Sequence, residues 1–525
     1  MANPRNQPRR IRRRRLTQFR PAIDGHPRQH RDRSPASGQI EGLIRKRRPG
    51  PRREGVVHDA PARPPRHLRL DHMTKIGLPL AGLLLIVAAS QTSAQALPVA
   101  VVPTEFADLL PLSELIEAGQ DRATAGVDPL VTYYLSTAWV PAEQRAGLVT
   151  AMRFIVPSLS LEQVVDDQVP QQTAADSTLW RIDTKALGWY QSLPRVLQRA
   201  NPYHDGHGPS LVIRADWFLV AATDCKDSTT YYELVFGEAF TKKAQFLQRL
   251  GIVTDQSGLS FGLIEANSGV IVSKKRWIET FGQRRGYAWG TRDSAKIDLE
   301  TDPLGRPDGK FKHDAEEWII GVPKIHAATG RRGALQVYFL ANAAGDRQDV
   351  APPDIATDHT RVRHGATEIR NGISCISCHV EGMIEPTTNE FRDLITAGAD
   401  VYADKVTQRS LEAFHLGDIM TEIERNREDF AAMVEACAGV PPKQAVEAFT
   451  QVVRAYDAPV TPEMAAAELG VELDELRSAI AYGSNTGQFS PRMVALAHDR
   501  AIPRQAWEAL YLEAFRAVKT WRAKP

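Results

Sequence analysis

The sequence predicts an α+β domain over residues 97–352 followed by a mainly α-helical domain over residues 353–525. Three observations carry this prediction. Short runs rich in Val, Ile, Trp and Phe, such as Leu179–Asp183 and Ala334–Leu340, recur before residue 350 and read as strands. After residue 389, apolar residues recur instead at spacings of three and four, the period of amphipathic helices. Between the two patterns Pro352-Pro353 interrupts the chain.

The 525-residue chain holds 65 Lys and Arg against 63 Asp and Glu, a formal charge of +2. That balance hides a division. Residues 1–72 carry 19 Arg and 1 Lys against 6 acidic residues, whereas residues 97–525 carry 44 basic against 57 acidic residues. The leader, with its runs Arg12–Arg15 and Arg45–Arg48, has the composition of a disordered segment. A basic tail of this kind suits nucleic acid or an anionic membrane. The preferred reading is that it precedes the true start. Met73-Thr74-Lys75 is a short basic opening, Ile76–Ala89 is an apolar run, and Ala94-Gln95-Ala96 is a small-x-small cleavage site. In that order they make an export signal over residues 73–96. The apolar run falls short of the roughly 20 residues that span a membrane. Synthesis is therefore expected to begin at Met73, with cleavage after Ala96; the alternative is an uncleaved anchor with a basic tail. The expected location is periplasmic or secreted, in a bacterium. Nucleic acid is excluded as a partner, because the remaining chain is acidic and phosphate contacts need cations.

From residue 97 the elements follow in order. Phe106–Glu117, Pro129–Trp139 and Gly147–Ile155 carry helical spacings, with Pro141 and Pro157 as breaks. Residues 166–179 read as a loop. Leu179–Asp183 alternates as a strand, and Ser210–Ala222 is the apolar run of a buried one. Tyr231–Phe240 and Lys242–Leu250 read as helices, Ser273–Ile278 as a basic helix or strand, and Gly286–Gly290 as a strand. Asp298–Lys310 is an acidic loop, followed by strands at Glu317–Val322 and Ala334–Leu340. Seven of the nine Trp fall in this region, as core or interface residues. The second part reads as helices at Asn389–Ala397, Ser410–Ala438, Lys443–Tyr456, Thr461–Leu469, Glu472–Tyr482, Ser490–His498 and Arg504–Trp521. Thr461-Pro462 has the form of an N-cap followed by proline at the first helical position.

The chemistry concentrates at Cys375-Ile376-Ser377-Cys378-His379, the Cys-x-x-Cys-His spacing of covalent haem attachment. Two thiols three residues apart can bond the two vinyl groups on one porphyrin edge, and the following imidazole faces the iron. Zinc would need a second pair of ligands at matching spacing, which the chain lacks. A thioredoxin-type redox pair would need a strand–motif–helix pattern, which is missing. Export further favours haem. The expected cofactor is one haem c, with its iron on His379. For the sixth position the candidates are Met420 first, Met433 second and His415 third, then Met383, Met464, Met493, His359 and His364; Met420 and Met433 also lie on an apolar helical stripe that suits core methionines. The remaining cysteines, Cys225 and Cys437, would either pair or stay as buried thiols, the latter being preferred.

Other constellations read as structural. His204-Asp205-Gly206-His207 is a surface turn rather than a metal site. Asp298–Pro303 begins like a calcium loop but has Pro303 where glycine is required. Thr461–Ile480 has the outline of a DNA-binding helix pair, which the acidic composition makes a plain αα-hairpin. No nucleophile elbow or phosphate loop is present, and no catalytic residue is assigned.

The Cys375, Cys378 and His379 motif with its export signal resembles the exported bacterial c-type cytochromes. Leu335–Leu340, Ala351-Pro352 and Gly372–Cys375 are similar to segments of large cytochrome c domain proteins in which a non-haem front domain precedes one haem site. The resemblance covers most of residues 97–525 and departs from small cytochromes in the long chain that follows His379. It implies a cytochrome c-like helical domain and single-electron transfer to a redox partner protein. The alternatives are an oxidoreductase whose residues 97–352 bind substrate, or a haem-based gas sensor.

Overall fold

The computed structural model describes residues 112–523, apart from residues 163, 166–169, 204–210, 225–228, 253–259, 267–274, 282–285, 294–312, 327–328, 360–366, 389–418 and 486–490. All of them belong to one compact unit, Ser93–Pro525. The export signal and the leader lie outside the described residues. So do His204–His207, Asp298–Pro303, Asn389–Ala397, His364, His415 and Cys225. Among the described residues no helix is long and apolar enough to cross a membrane.

The chain opens with α1 (Leu112–Thr124), β1 (Thr132–Ser136) and α2 (Ala142–Ser158). The helix expected at Pro129–Trp139 is strand β1. All five of its residues are buried, so the alternation that marks a half-exposed strand is missing. Helix α2 takes Pro157 into its last turn and runs to Ser158. Then come β2 (Val164–Val165), β3 (Gln171–Gln172), β4 (Leu179–Asp183), α3 (Ser192–Ala200) and β5 (Val212–Arg214). The apolar run expected to be one strand over Ser210–Ala222 becomes helix α4 (Ala215–Thr223) after only three strand residues. That helix is buried on nearly every side, and such a run reads alike as strand or helix. Helices α5 (Thr230–Phe236) and α6 (Lys243–Leu250) match their expected places.

Next is an antiparallel meander: β6 (Ser260–Ala266), β7 (Lys275–Phe281), β8 (Tyr287–Asp293), β9 (Ala315–His326) and β10 (Arg332–Asn342). The basic segment left open between helix and strand is thus strand β7. Beyond it lie α7 (Ile373–Cys378) and β11 (Pro386–Thr388), then the helices α8 (Ile419–Ala438), α9 (Pro442–Asp457), α10 (Pro462–Leu469), α11 (Leu473–Asn485), α12 (Pro491–Ala497) and α13 (Arg504–Arg522). Thr461 caps α10 as its sequence predicts, its hydroxyl accepting from the Met464 backbone N–H at 3.3 Å.

Two sheets result. The smaller has the order β3-β4-β1-β5, with β1 and β5 parallel; the larger has the order β10-β9-β8-β7-β6-β11, with β2 added in parallel to β9. Helix α8 packs on β10 and on α2, and α9 packs on α2 and α4. One hydrophobic cluster therefore includes Leu148 and Phe154 of α2, Leu335 and Val337 of β10, and Phe430, Met433 and Phe449 from the late helices. The core runs across the boundary expected at residues 352/353. Backbone bonds stitch that junction as well: Val350 bridges Arg370, and the Ala351 N–H donates to the Ile369 carbonyl.

Candidate functional site

The Cys-x-x-Cys-His motif is almost entirely one short helix. Cys375 and Cys378 lie on α7, and His379 is its C-cap residue. Two glycines fix its ends. Gly372 has φ +80, and a Cβ there would run into the carbonyl oxygen of Thr223. Gly382 has φ +83, and a Cβ there would come within 2.9 Å of Phe430 on α8. Both positions demand a left-handed backbone and close approach, which only glycine gives without strain. Side chains complete the anchorage. The Asn371 amide donates to the Tyr232 hydroxyl (2.6 Å) and to the Tyr338 carbonyl (3.3 Å), and the Arg370 guanidinium pairs with Asp224 (3.3 Å).

This places both thiols and the imidazole on one narrow cleft that encloses only ≈ 50 Å³. Its apolar wall includes Leu340, Ile355, Ile369 and Ile384, and its polar wall is Arg276, Asp293, Glu316 and Glu317. His379 is 4% exposed. Its Nδ1 lies 2.9 Å from the Gly382 carbonyl oxygen, which can only accept, so Nδ1 carries a proton and donates. Nε2 faces the polar wall, 3.5 Å from Glu317 Oε1. The ring leans on Tyr338, with centroids 5.4 Å apart.

The polar wall is a set of buried charges. Arg276 donates through Nε and Nη2 to Asp293 (2.7 and 2.6 Å) and reaches Glu317 Oε2 through Nη1 (2.8 Å). Burial alone would push the Glu317 carboxyl up, but the Arg276 guanidinium and His379 hold it well below the usual carboxylate range. Glu316 is likewise opposed by burial, yet His313 and Lys243 bring it down to about 2. Burial, with Asp358 and Glu317 nearby, pushes the Cys378 thiol up to about 12. A thiol kept protonated in this way is a poor nucleophile. Among the described residues no group of three or more His, Cys, Asp or Glu could hold a metal ion. The spacing of the donors is that of covalent haem attachment, but Glu317 at 3.5 Å fills the space in front of Nε2, and the cleft in this conformation does not hold a porphyrin. The two thiols lie one helical turn apart on one cleft, and the imidazole has its tautomer fixed from behind.

The sixth-ligand candidates among the described residues lie elsewhere, Met383 and the others all outside the lining of the cleft. Met420 sits in the first turn of α8, partly buried against the core. Met433 is fully buried beside Gly333 of β10, Met493 is fully buried, and Met464 packs at the edge of the core. Met383 is buried, and its carbonyl accepts from Arg427 at 3.3 Å. His359 is exposed. No methionine appears among the described residues that line the cleft. The residue nearest His379 Nε2, Glu317, escaped the sequence reading. Its signal was the pair Glu316-Glu317 at the start of an otherwise apolar strand, because carboxylates in a buried strand must be paired.

A second, wider cavity of ≈ 1580 Å³, mouth included, lies between α2 and α9 and is lined by Trp139, Arg214, Asp216, Tyr456, Glu468 and Arg504. Arg214 chelates Asp216 through two bonds of 2.7 Å and meets Glu468 at 2.8 Å. Glu468 also accepts from Arg504 (2.7 Å) and the Trp507 indole (2.7 Å). The α10–α11 hairpin thus turns its carboxylate inward. Cys437 is buried on α8. Comparison of the chain with protein-family models, with curated proteins and with solved structures returns no match in any of the three.

Proposed function

We propose that this chain is an exported single-haem c-type cytochrome that passes electrons one at a time to a redox partner outside the cytoplasmic membrane. The observation that carries the reading is the convergence of Cys375, Cys378 and the Nε2 edge of His379 on one cleft, with Nδ1 tied to the Gly382 carbonyl. Cys375 and Cys378 would hold the porphyrin by thioether bonds, and His379 would bind its iron. When bound, the group supplies a reversible one-electron centre. The protein's own part is positional. The Gly382 carbonyl orients the imidazole and raises its basicity, while Leu340, Ile355, Ile369 and Ile384 keep water from one wall of the cleft. Delivery across the membrane falls to residues 73–96.

The test is to express the full chain with haem-attachment machinery and record the alkaline pyridine spectrum after denaturation. A c-type band that survives denaturation is expected, and the Cys375→Ala/Cys378→Ala protein should lose it completely. A wild-type protein without covalent haem would sink the proposal.

A further inference from the structure

The cavity between α2 and α9 shares no lining residue with the Cys375–His379 cleft, so its use is independent of haem. It encloses ≈ 730 Å³, the size of a small-molecule pocket, against ≈ 50 Å³ beside His379. Small side chains make the room. Gly147 of α2, Ala448 and Ala455 of α9 and Ala467 of α10 all line it, and a Cβ added to Gly147 would meet nothing within 4 Å. Val140, Leu148, Val452 and Met464 make its walls apolar. The floor is different. Arg214, Asp216, Glu468 and Arg504 are each only 4% or 6% exposed there. Their carboxylate oxygens are all engaged: both oxygens of Asp216 accept from Arg214, and those of Glu468 accept from Arg504 and from the Trp507 indole. Donors are left over instead. Arg504 spends Nε on the Tyr456 carbonyl (2.7 Å) and Nη1 on Glu468, and its Nη2 has no hydrogen-bond partner among the described residues. The Trp139 indole N–H, on the wall, is buried and equally unpartnered.

We propose that this cavity binds a neutral, largely apolar small molecule through a carbonyl oxygen that accepts from Arg504 Nη2, with the Trp139 indole as a second donor. Apolar walls favour an apolar body, and spare buried donors favour an acceptor on it. Charge sets the rest. Asp216, Glu468 and Glu143 outnumber Arg214 and Arg504 around the space, so an anionic ligand gains no net attraction from them.

Equilibrium dialysis of the full chain against three probes provides the test. Chromone carries a neutral carbonyl on an apolar body, naphthalene is a body of similar size without the acceptor, and 2-naphthoate adds a negative charge. Chromone should bind about tenfold more tightly than either of the others, the worth of one hydrogen bond to a charged donor. Gly147→Leu fills the space from a helical position that favours leucine over glycine. It should abolish chromone binding without lowering the thermal unfolding temperature. Trp139→Phe should weaken chromone several-fold and leave naphthalene as in the wild type. Arg504→Lys should bring chromone down to the level of naphthalene; if it fails to fold, the three probes and Gly147→Leu decide. Chromone binding that survives Gly147→Leu in a folded protein overturns the assignment of the cavity. Chromone that binds no more tightly than naphthalene, or not at all, overturns the role of the donors. A tighter complex with 2-naphthoate overturns the neutral ligand.

Discussion

Two buried guanidinium clusters, around Arg276 and around Arg214, are built from the same parts. Each arginine grips one aspartate with two hydrogen bonds and forms an ion pair with a glutamate at 2.8 Å. The difference lies in what else the glutamate holds. Glu468 is saturated by Arg214, Arg504 and the Trp507 indole, all within 2.8 Å. Glu317 has Arg276 at 2.8 Å but only a long contact, 3.5 Å, to the imidazole of His379. The first is a lock between helices. The second has one edge held loosely beside two thiols and a histidine. A buried charge cluster is thus no sign of a site by itself.

The largest effect should come from the lock. Glu468→Gln leaves two buried arginines short of their partner and should cost about 3–5 kcal/mol in urea unfolding. Glu317→Gln leaves Arg276 with Asp293 and should cost about 1–3 kcal/mol. Equal losses at the two positions would break the comparison. Gly372→Ala probes the frame of the cleft rather than its charges. It sets a Cβ against the Thr223 carbonyl on a left-handed backbone, and should destabilise by about 1–3 kcal/mol while lowering the yield of haem-loaded protein. Normal stability and loading would show that the motif helix is not pinned there.

Lys324 sharpens the contrast from another side. Its Nζ is fully buried and donates to the carbonyls of Ser160 (2.5 Å) and Glu162 (2.6 Å) rather than to a carboxylate. Burial, only partly offset by Cys437 and Glu162, brings its pKa from 10.5 down to about 7. Between those values the unfolded chain binds a proton that the folded chain does not, so stability rises with pH through that window, by about 1.4 kcal/mol per unit. The wild type minus Lys324→Met difference in unfolding free energy should show this slope, and a flat difference would refute it. Arg214 and Arg276 remain charged throughout and contribute no such slope. The smallest effect belongs to the helix that carries Glu468: Thr461→Ala removes its cap and should cost about 1 kcal/mol in thermal unfolding.

The sequence made some of these features legible and hid others for identifiable reasons. The motif at Cys375–His379 and the capped helix after Thr461 are local signals, complete within a few residues. The middles of β9 and β10 were readable from their β-branched and aromatic runs, but both strands extend beyond those runs at each end. Strand β1 and helix α4 were not, because burial on all sides erases the period that tells strand from helix. The Glu316-Glu317 pair marked carboxylates that need partners, but not which: sheet pairing and the return of the chain through α7 bring Glu317 to His379, and neither leaves a local mark. The Pro352-Pro353 break suggested two domains, whereas the packing of α8 between β10 and α2 joins both sides of it in one core.

That packing also sets a timetable. Helix α2 and strand β10 cannot finish their shared core until α8 is delivered, some time after Cys378 has emerged. In the finished fold Cys375 and the imidazole are buried, while Cys378 stays partly exposed at the cleft, so the two thiols of one short helix differ in their access to solvent.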